Sequence, residues 1–561
     1  MNLNLEMTFS DYRGEGELRR DSISRRLRSG NAGSDDCLRL AKRWLDACTG
    51  QHGERCQNAD LGIVPSRLID VSPRLESDAV KLVSLPERGN IDYPTSVKYV
   101  ALSYCWGTEP FLTTTSSNVK AMQQSISPSQ LPQMFQDAIR VTRYIGLRYL
   151  WIDSLCILQG TDTAAQQDWL FESSKMGQIY HSAYFTLSAE SAPAATVGIF
   201  NDRPAPPVAF SAIPVSKTGP NIVYLGQHQT SNPTTAEPLH CRGWALQETI
   251  LSKRLLRFET KQLSWRCSYA EETETRCETQ AAHPSNNTTD VEQKVEQKAE
   301  PNAQARKIYD SWEKIVENYS QRLLSQQSDK LPAIAGLARV AQEATQDTYV
   351  AGVWHRKASR SLLWMHPQRK HEYVRKKEFQ APTWSWASVE GSVCFLRDHV
   401  QRQDLVIKFP HTSDSFNSTC KMYVQAWVLP MRTLRRHQFG SYYGEYENFL
   451  PWAHLTASLK TYLDDVDAIP PKHRRGEEGD PQELVDSLFL FLADTGTYDR
   501  YSGAGLIILP VKKRYNQYSR VGMFKGCPLQ GFQSEKNQGW RRYLELSHVE
   551  KKPRIRKVVL V

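Results

Sequence analysis

The chain has 561 residues, too many for one ordinary domain, so two to four are expected. At 40% hydrophobic and 23% charged, with 14 tryptophans, it can bury substantial cores, which excludes a fibrous or wholly disordered chain. The net charge of +9 is small for this length, and the basic runs at 19–28 and 369–377 come with no recognisable module, so nucleic acid is not an expected partner.

The N-terminus has no apolar stretch of the secretory kind, and the best apolar run, Leu488 to Ala493, is strand-length. No membrane span is expected, since one needs about 20 apolar residues. The 11 cysteines are scattered and odd in number, which suits a reducing compartment, so a cytoplasmic protein is expected.

Residues 1–34, polar and rich in Arg, Ser and Gly, predict a disordered leader. A helix is expected from Asp35 to Thr49, with Leu38, Ala41, Leu45 and Cys48 on one face and Asp35 or Asp36 as N-cap. A strand pair, Ser66 to Val71 and Ala79 to Leu85, completes a segment ending at 96. Strands at Val97 to Tyr104, Arg148 to Ile152 and Tyr184 to Ala189 then alternate with helices at Leu131 to Ile145 and Asp168 to His181. Gly146 ends the first of these helices. Such alternation predicts right-handed crossovers and an α/β domain over 97–279, a parallel sheet with helices on both faces.

Residues 280–304 are polar and repetitive and predict a linker or insert. Region 305–561 predicts mixed helix and strand. A helix carries Ile308, Trp312, Ile315, Val316, Tyr319 and Leu323 on one stripe, and another carries Ile334, Leu337, Ala338 and Ala341. Beyond them come tryptophan-rich and strand-like segments, including Tyr423 to Leu429, a loop at Asp464 to Pro481, and two last strands at Leu484 to Ala493 and Gly505 to Val511.

Ligands of parallel sheets bind outside the carboxyl ends of the strands. Ser103, Tyr104, Trp106 and Gly107 stand at that end of the first strand; Asp153, Ser154 and Cys156 stand at that end of the second. The two groups face one cleft if the strands are neighbours. The plainer alternative makes Asp153 an N-cap and Trp106 a core plug. Arg242, Trp244 and Gln247 offer a cation, a flat ring and an amide for a nucleotide, or else close the core. A nucleophilic Cys105, Cys156 or Ser103 would need a base, and His181, at a helix end, is paired with none of them. Near the N-terminus Cys48, His52 and Cys56, with Cys37 nearby, have the residue types of a zinc site but no fourth ligand. Cysteines packed as small hydrophobes at a helix end are the favoured reading, so no metal is expected.

Three segments, Tyr99-Val-Ala-Leu-Ser-Tyr-Cys-Trp-Gly107, Tyr149-Leu-Trp-Ile-Asp-Ser-Leu-Cys-Ile-Leu-Gln159 and Arg242-Gly-Trp-Ala-Leu-Gln-Glu-Thr-Ile-Leu-Ser252, resemble the three motifs of the fungal heterokaryon-incompatibility (HET) domain. The resemblance implies a role in self/non-self recognition, with a death response when unlike cells fuse, and protein partners or self-association. That family has been likened to TIR domains, which share a flavodoxin-like sheet and in some members cleave NAD. By that likeness NAD is a candidate substrate, no cofactor is required, and a glutamate supplies the carboxylate an oxocarbenium-like centre needs. Glu172 is the first candidate, with an exposed carboxylate in the first helical turn as its structural alternative. Glu248 is the rival, with an ion pair to Arg242 or Arg254 as its alternative. A non-catalytic module acting through assembly fits the same fold.

Overall fold

The computed structural model describes residues 29–56, 64–72, 78–86, 97–203, 237–274, 301–365 and 381–396, and short segments between 400 and 560. The chain divides into two units, Met1–Gln293 and Lys294–Val561. Most of the leader, most of the predicted linker and the loop at Asp464 to Pro481 lie outside the described residues.

The first unit is built on α1 (Asp35–Gln51), β1 (Arg67–Asp70), β2 (Lys81–Ser84), β3 (Tyr99–Ser103), α2 (Val119–Gln124), α3 (Gln133–Ile145), β4 (Tyr149–Trp151), α4 (Asp153–Cys156), α5 (Thr163–Ser182), β5 (Phe185–Ser188), α6 (Gly243–Leu251), β6 (Arg254–Phe258), β7 (Leu263–Cys267) and β8 (Glu271–Thr273). Its sheet has eight strands in the order β2-β1-β4-β3-β5-β6-β7-β8. The central four, β4-β3-β5-β6, are parallel, and the pairs on either side are antiparallel. The all-parallel sheet expected from the alternation is therefore a mixed one. Parallel neighbours need a crossover connection, as from β3 to β4 and from β4 to β5, while the short links from β6 to β7 and from β7 to β8 fold back as hairpins.

β3 and β5 are buried at every position, as strands covered on both faces must be. The crossover from β3 to β4 and the one from β4 to β5 run in opposite directions along the sheet. Right-handedness then places α3 on one face and α5 on the other. The packing agrees: α1 lies against α3, and α5 lies against α6. α3 buries Phe135, Ala138, Thr142 and Ile145 along one stripe and ends on Gly146 at φ 90°, where a side chain would be strained.

The cap of α1 and the starts of α3, at Gln133 and not Leu131, and of α5 differ from the sequence expectation. α1 is capped by Ser34, whose hydroxyl accepts from the Cys37 amide at 3.3 Å, while Asp35 and Asp36 occupy the first turn. α5 begins at Thr163, not Asp168, because Asp162 caps it by accepting from the Ala165 amide at 3.1 Å. Its exposed first turn has no apolar stripe to betray it. The end of the expected disordered leader is anchored, since the Ser29 amide donates to Glu274 Oε1 at 2.7 Å.

In the second unit, helix Pro301–Tyr319 buries Ile308, Trp312, Ile315, Val316 and Tyr319. Leu323 lies past its end and is 73% exposed, contrary to the stripe read from sequence. Helix Pro332–Thr345 buries Ile334, Leu337, Ala338 and Ala341 as expected. Trp354, Trp364, Trp384 and Trp386 are fully buried. Five strands, Met422–Pro430, Leu488–Asp494, Gly503–Pro510, Gln517–Gly526 and Arg554–Leu560, pair in a ring that returns to its first member. The last two of these have no counterpart among the strands read from sequence. Among the described residues no helix is long and apolar enough to cross a membrane.

Candidate functional site

β3 and β4 are parallel neighbours, with Ala101 opposite Trp151, so their carboxyl ends open on the same edge. The residues just past each strand meet there. The Tyr104 hydroxyl donates to Ser154 Oγ at 2.8 Å, and Trp106 Nε1 donates to Asp153 Oδ2 at 2.9 Å. α6 supplies the third side. Arg242, at its N-terminal boundary, donates to the Tyr104 carbonyl and lies 3.4 Å from Asp153 Oδ2. Ser103 donates to Glu248. All three motif segments thus close on one charged node.

The node grades from interior to surface. Ser103, Tyr104, Ser154, Gln247 and Glu248 are at most 2% exposed. Trp106 and Arg242 are half-buried, Trp244 is buried at 8%, and Gly107 is exposed. Burial pushes the Glu248 carboxyl above its ordinary range, opposed by Arg242 and by the Ser103 hydrogen bond. Burial works against the charge of Arg242 too, but Glu248 and Asp153 outweigh it and hold the guanidinium firmly protonated. Gly107 has φ 81°, and a Cβ there would lie 2.4 Å from that of Ala194. Only glycine lets the chain turn away from Trp106 at this point.

Burial keeps the cysteines of the node in their thiol form. Burial pushes the Cys156 thiol up to about 12 and that of Cys105 up to about 11. Burial also holds His181 down, to about 4, and its Nδ1 faces the Leu251 carbonyl at 3.3 Å. No base stands beside either thiol among these contacts, so nucleophilic activation of the usual kind has no support.

Glu172 lies towards the carboxyl end of β4, where Arg67, next to its partner Ser66, donates to the Cys156 carbonyl at 2.7 Å. It is fully buried, not an exposed first-turn carboxylate, and its Oε1 accepts from Ser66 at 2.5 Å, just before β1. It thus fastens α5 to the β1 end of the sheet, beside the ion pair of Arg67 with Asp168. Its other oxygen has no hydrogen-bond partner. The carboxylate that joins Ser103 and Arg242 is the rival, Glu248.

Sequence reasoning missed two contributors. Tyr180, on α5, reaches Glu248 electrostatically and donates to the Leu102 carbonyl at 3.0 Å. Glu190, 2% exposed beyond the end of β5, lies 3.1 Å from His240 and 4.0 Å from Arg257. A polar residue just past a predicted parallel strand was the available signal for Glu190. The N-terminal cysteines also gain a member. Cys48, His52 and Cys56 gather with Cys267, from the end of β7, their ligand atoms all within 4.8 Å of one another. Cys37 stands apart, its thiol directed to Asn31 O and Glu274 at 3.6 Å.

The geometry defines a mixed α/β domain whose polar centre lies at the carboxyl ends of adjacent parallel strands. Residues 99–248 match the family model of the heterokaryon incompatibility protein (HET), so the chain carries a HET domain. No curated protein and no solved structure matches the chain.

Proposed function

We propose that this chain acts in fungal self/non-self recognition and triggers cell death, and that its HET domain does so by cleaving a nucleotide, with NAD as the substrate to test. The observation that carries the reading is the convergence of all three motif segments on one node of Glu248, Arg242, Asp153 and Trp106. The parallel strands run second-first-third-fourth, which is the start of a flavodoxin-like order. In such sheets ligands lie at the strand ends where the order reverses, between β3 and β5 here, and Ser103 and Glu190 flank that point.

The half-buried Trp106 and Arg242 suit a flat base and a phosphate, and Asp153 stands between them. Glu248 takes the carboxylate role in place of Glu172. Its charge stabilises an oxocarbenium-like ribose as the nicotinamide leaves with the electrons of the broken C–N bond; water then adds to the ribose carbon and one proton is released. The test measures nicotinamide release from NAD by the purified full chain. Turnover should fall at least about a hundredfold in Glu248→Gln, the scale of lost electrostatic stabilisation, and stay near wild type in Glu172→Gln.

A second reading, assembly without catalysis, is favoured by Leu170 and Phe171, which α5 leaves 63% and 52% exposed. It prevails if wild-type protein releases no nicotinamide while Leu170→Ser/Phe171→Ser abolishes both self-association and killing.

A further inference from the structure

Four side chains outside the motif node converge on a single point. Cys48 lies in the last turn of α1, His52 caps that helix one turn later, Cys56 ends the short 3-10 turn Gly53–Cys56, and Cys267 ends β7. Gly53, at φ 55°, turns the chain back so that Cys56 faces the helix end. The His52 Nδ1 atom is 3.6 Å from Cys56 Sγ and 3.4 Å from Cys267 Sγ. A tetrahedral zinc centre with Zn–S of about 2.3 Å and Zn–N of about 2.0 Å has ligand–ligand edges of about 3.5–3.8 Å. The two His52 edges match that tetrahedron, and all four ligand atoms lie within 4.8 Å of one another, close enough to draw in around one ion.

Its surroundings fit thiolates. Arg254 Nε points at Cys48 Sγ at 3.3 Å, and the Ala270 amide donates to Cys267 Sγ at 3.3 Å. Donors of this kind support metal-bound sulfur. Three thiolates around a divalent ion leave one net negative charge, and the buried Arg254 guanidinium balances it. The Tyr269 ring lies 4.4 Å from the His52 ring and fixes its plane. Cysteines packed as small hydrophobes have no need of a shared imidazole and two N–H donors.

We propose that Cys48, His52, Cys56 and Cys267 bind one Zn²⁺ in a closed, structural Cys₃His centre that pins the N-terminal helix to the β7 end of the sheet. Three buried thiolates and one imidazole select zinc over harder ions, and four protein ligands leave no open position for catalysis. The tie joins positions 215 residues apart, and all four ligands lie outside the matched segment 99–248.

Elemental analysis of the full chain, purified without chelator, should find one zinc per molecule. Cys267→Ser should lose it, and Cys241→Ser, at an exposed thiol outside the cluster, should keep it. Arg254→Gln should weaken zinc about 10–100-fold in competition with a chromophoric chelator. If the serine variant fails to fold, wild-type protein loaded with Co²⁺ supplies the answer: an intense tetrahedral visible spectrum with sulfur-to-metal charge transfer, retained in His52→Cys. Folded wild-type protein that holds no metal and gives only the weak spectrum of six-coordinate Co²⁺ would overturn the proposal, as would a Cys48–Cys56 disulfide found by mass spectrometry.

Discussion

The HET node and the cysteine–histidine cluster both bury polar atoms in the first unit, but they do so in opposite ways. In the node, donors and acceptors pair with one another: Ser103 with Glu248, Trp106 with Asp153, Tyr104 with Ser154. In the cluster, three sulfurs and a nitrogen crowd within 4.8 Å of one another, and Cys56 and Cys267 both approach the one His52 Nδ1 atom. Paired groups hold segments together without help. Three thiols crowded on one imidazole nitrogen are joined by weak hydrogen bonds alone, and an ion would bind all four at once.

The contrast breaks most visibly at Cys267. Substitution by serine should cost about 4 kcal/mol where free zinc stands near a thousand times its dissociation constant. That is about 8–16 °C in melting temperature for a unit of this size, and a chelator should then have no further effect on the variant. An unchanged melting temperature would make the cluster as self-sufficient as the node.

Glu248 probes the node from the other side. Glu248→Ala leaves the Ser103 hydroxyl and Arg242 short of a buried partner and should cost about 3–5 kcal/mol, against about 1–3 kcal/mol for Glu248→Gln. The carboxyl's folded pKa is raised, so the native state binds its proton more tightly than the unfolded chain does. Its contribution to stability is therefore full below the ordinary value of 4.5 and is lost as pH rises through the folded value. Denaturant titrations across that range should show this falling component in wild type and not in Glu248→Gln.

Gly107→Ala is a smaller test of how tightly the node is turned. The left-handed backbone and the 2.4 Å approach to Ala194 should together cost about 1–3 kcal/mol, read as a shift in urea midpoint. Chelation should not alter that shift, since Gly107 touches none of the metal ligands.

An effect confined to acid pH is expected at His181. Its folded pKa is depressed to about 4 by burial, so the native state favours the neutral ring. Stability should fall as pH drops from about 6.5 towards 4. His181→Asn should flatten that acid limb, and an identical limb in the variant would assign it to other groups.

Much of this was legible in the sequence. The three parallel strands β3, β4 and β5, the helix α3 and its glycine stop can be read from apolar runs and periodicity, because local patterning and tertiary burial agree there. The meeting of the groups after β3 and β4, with Ser103 and Asp153, was legible as strand-end polarity, whereas the arrival of Arg242 from the start of α6 was not. Glu172 was not: its spacing along α5 says nothing of Ser66, which arrives from a strand more than a hundred residues earlier. Cys267 was equally hidden, since only the antiparallel return of β7 brings it to the end of α1. Contacts made by non-local pairing leave no trace in spacing.

The position of the sheet's outer members bears on how this protein can be dissected. The stretch 99–248 begins at β3 and stops inside α6, yet β4 pairs with β1 and β5 pairs with β6, both beyond its borders. Excising that stretch would strip the partner from each side of the parallel core and expose two raw hydrogen-bonding edges, an invitation to aggregation. A fragment meant to report toxicity or turnover should run from residue 29, where Ser29 meets Glu274, through residue 274.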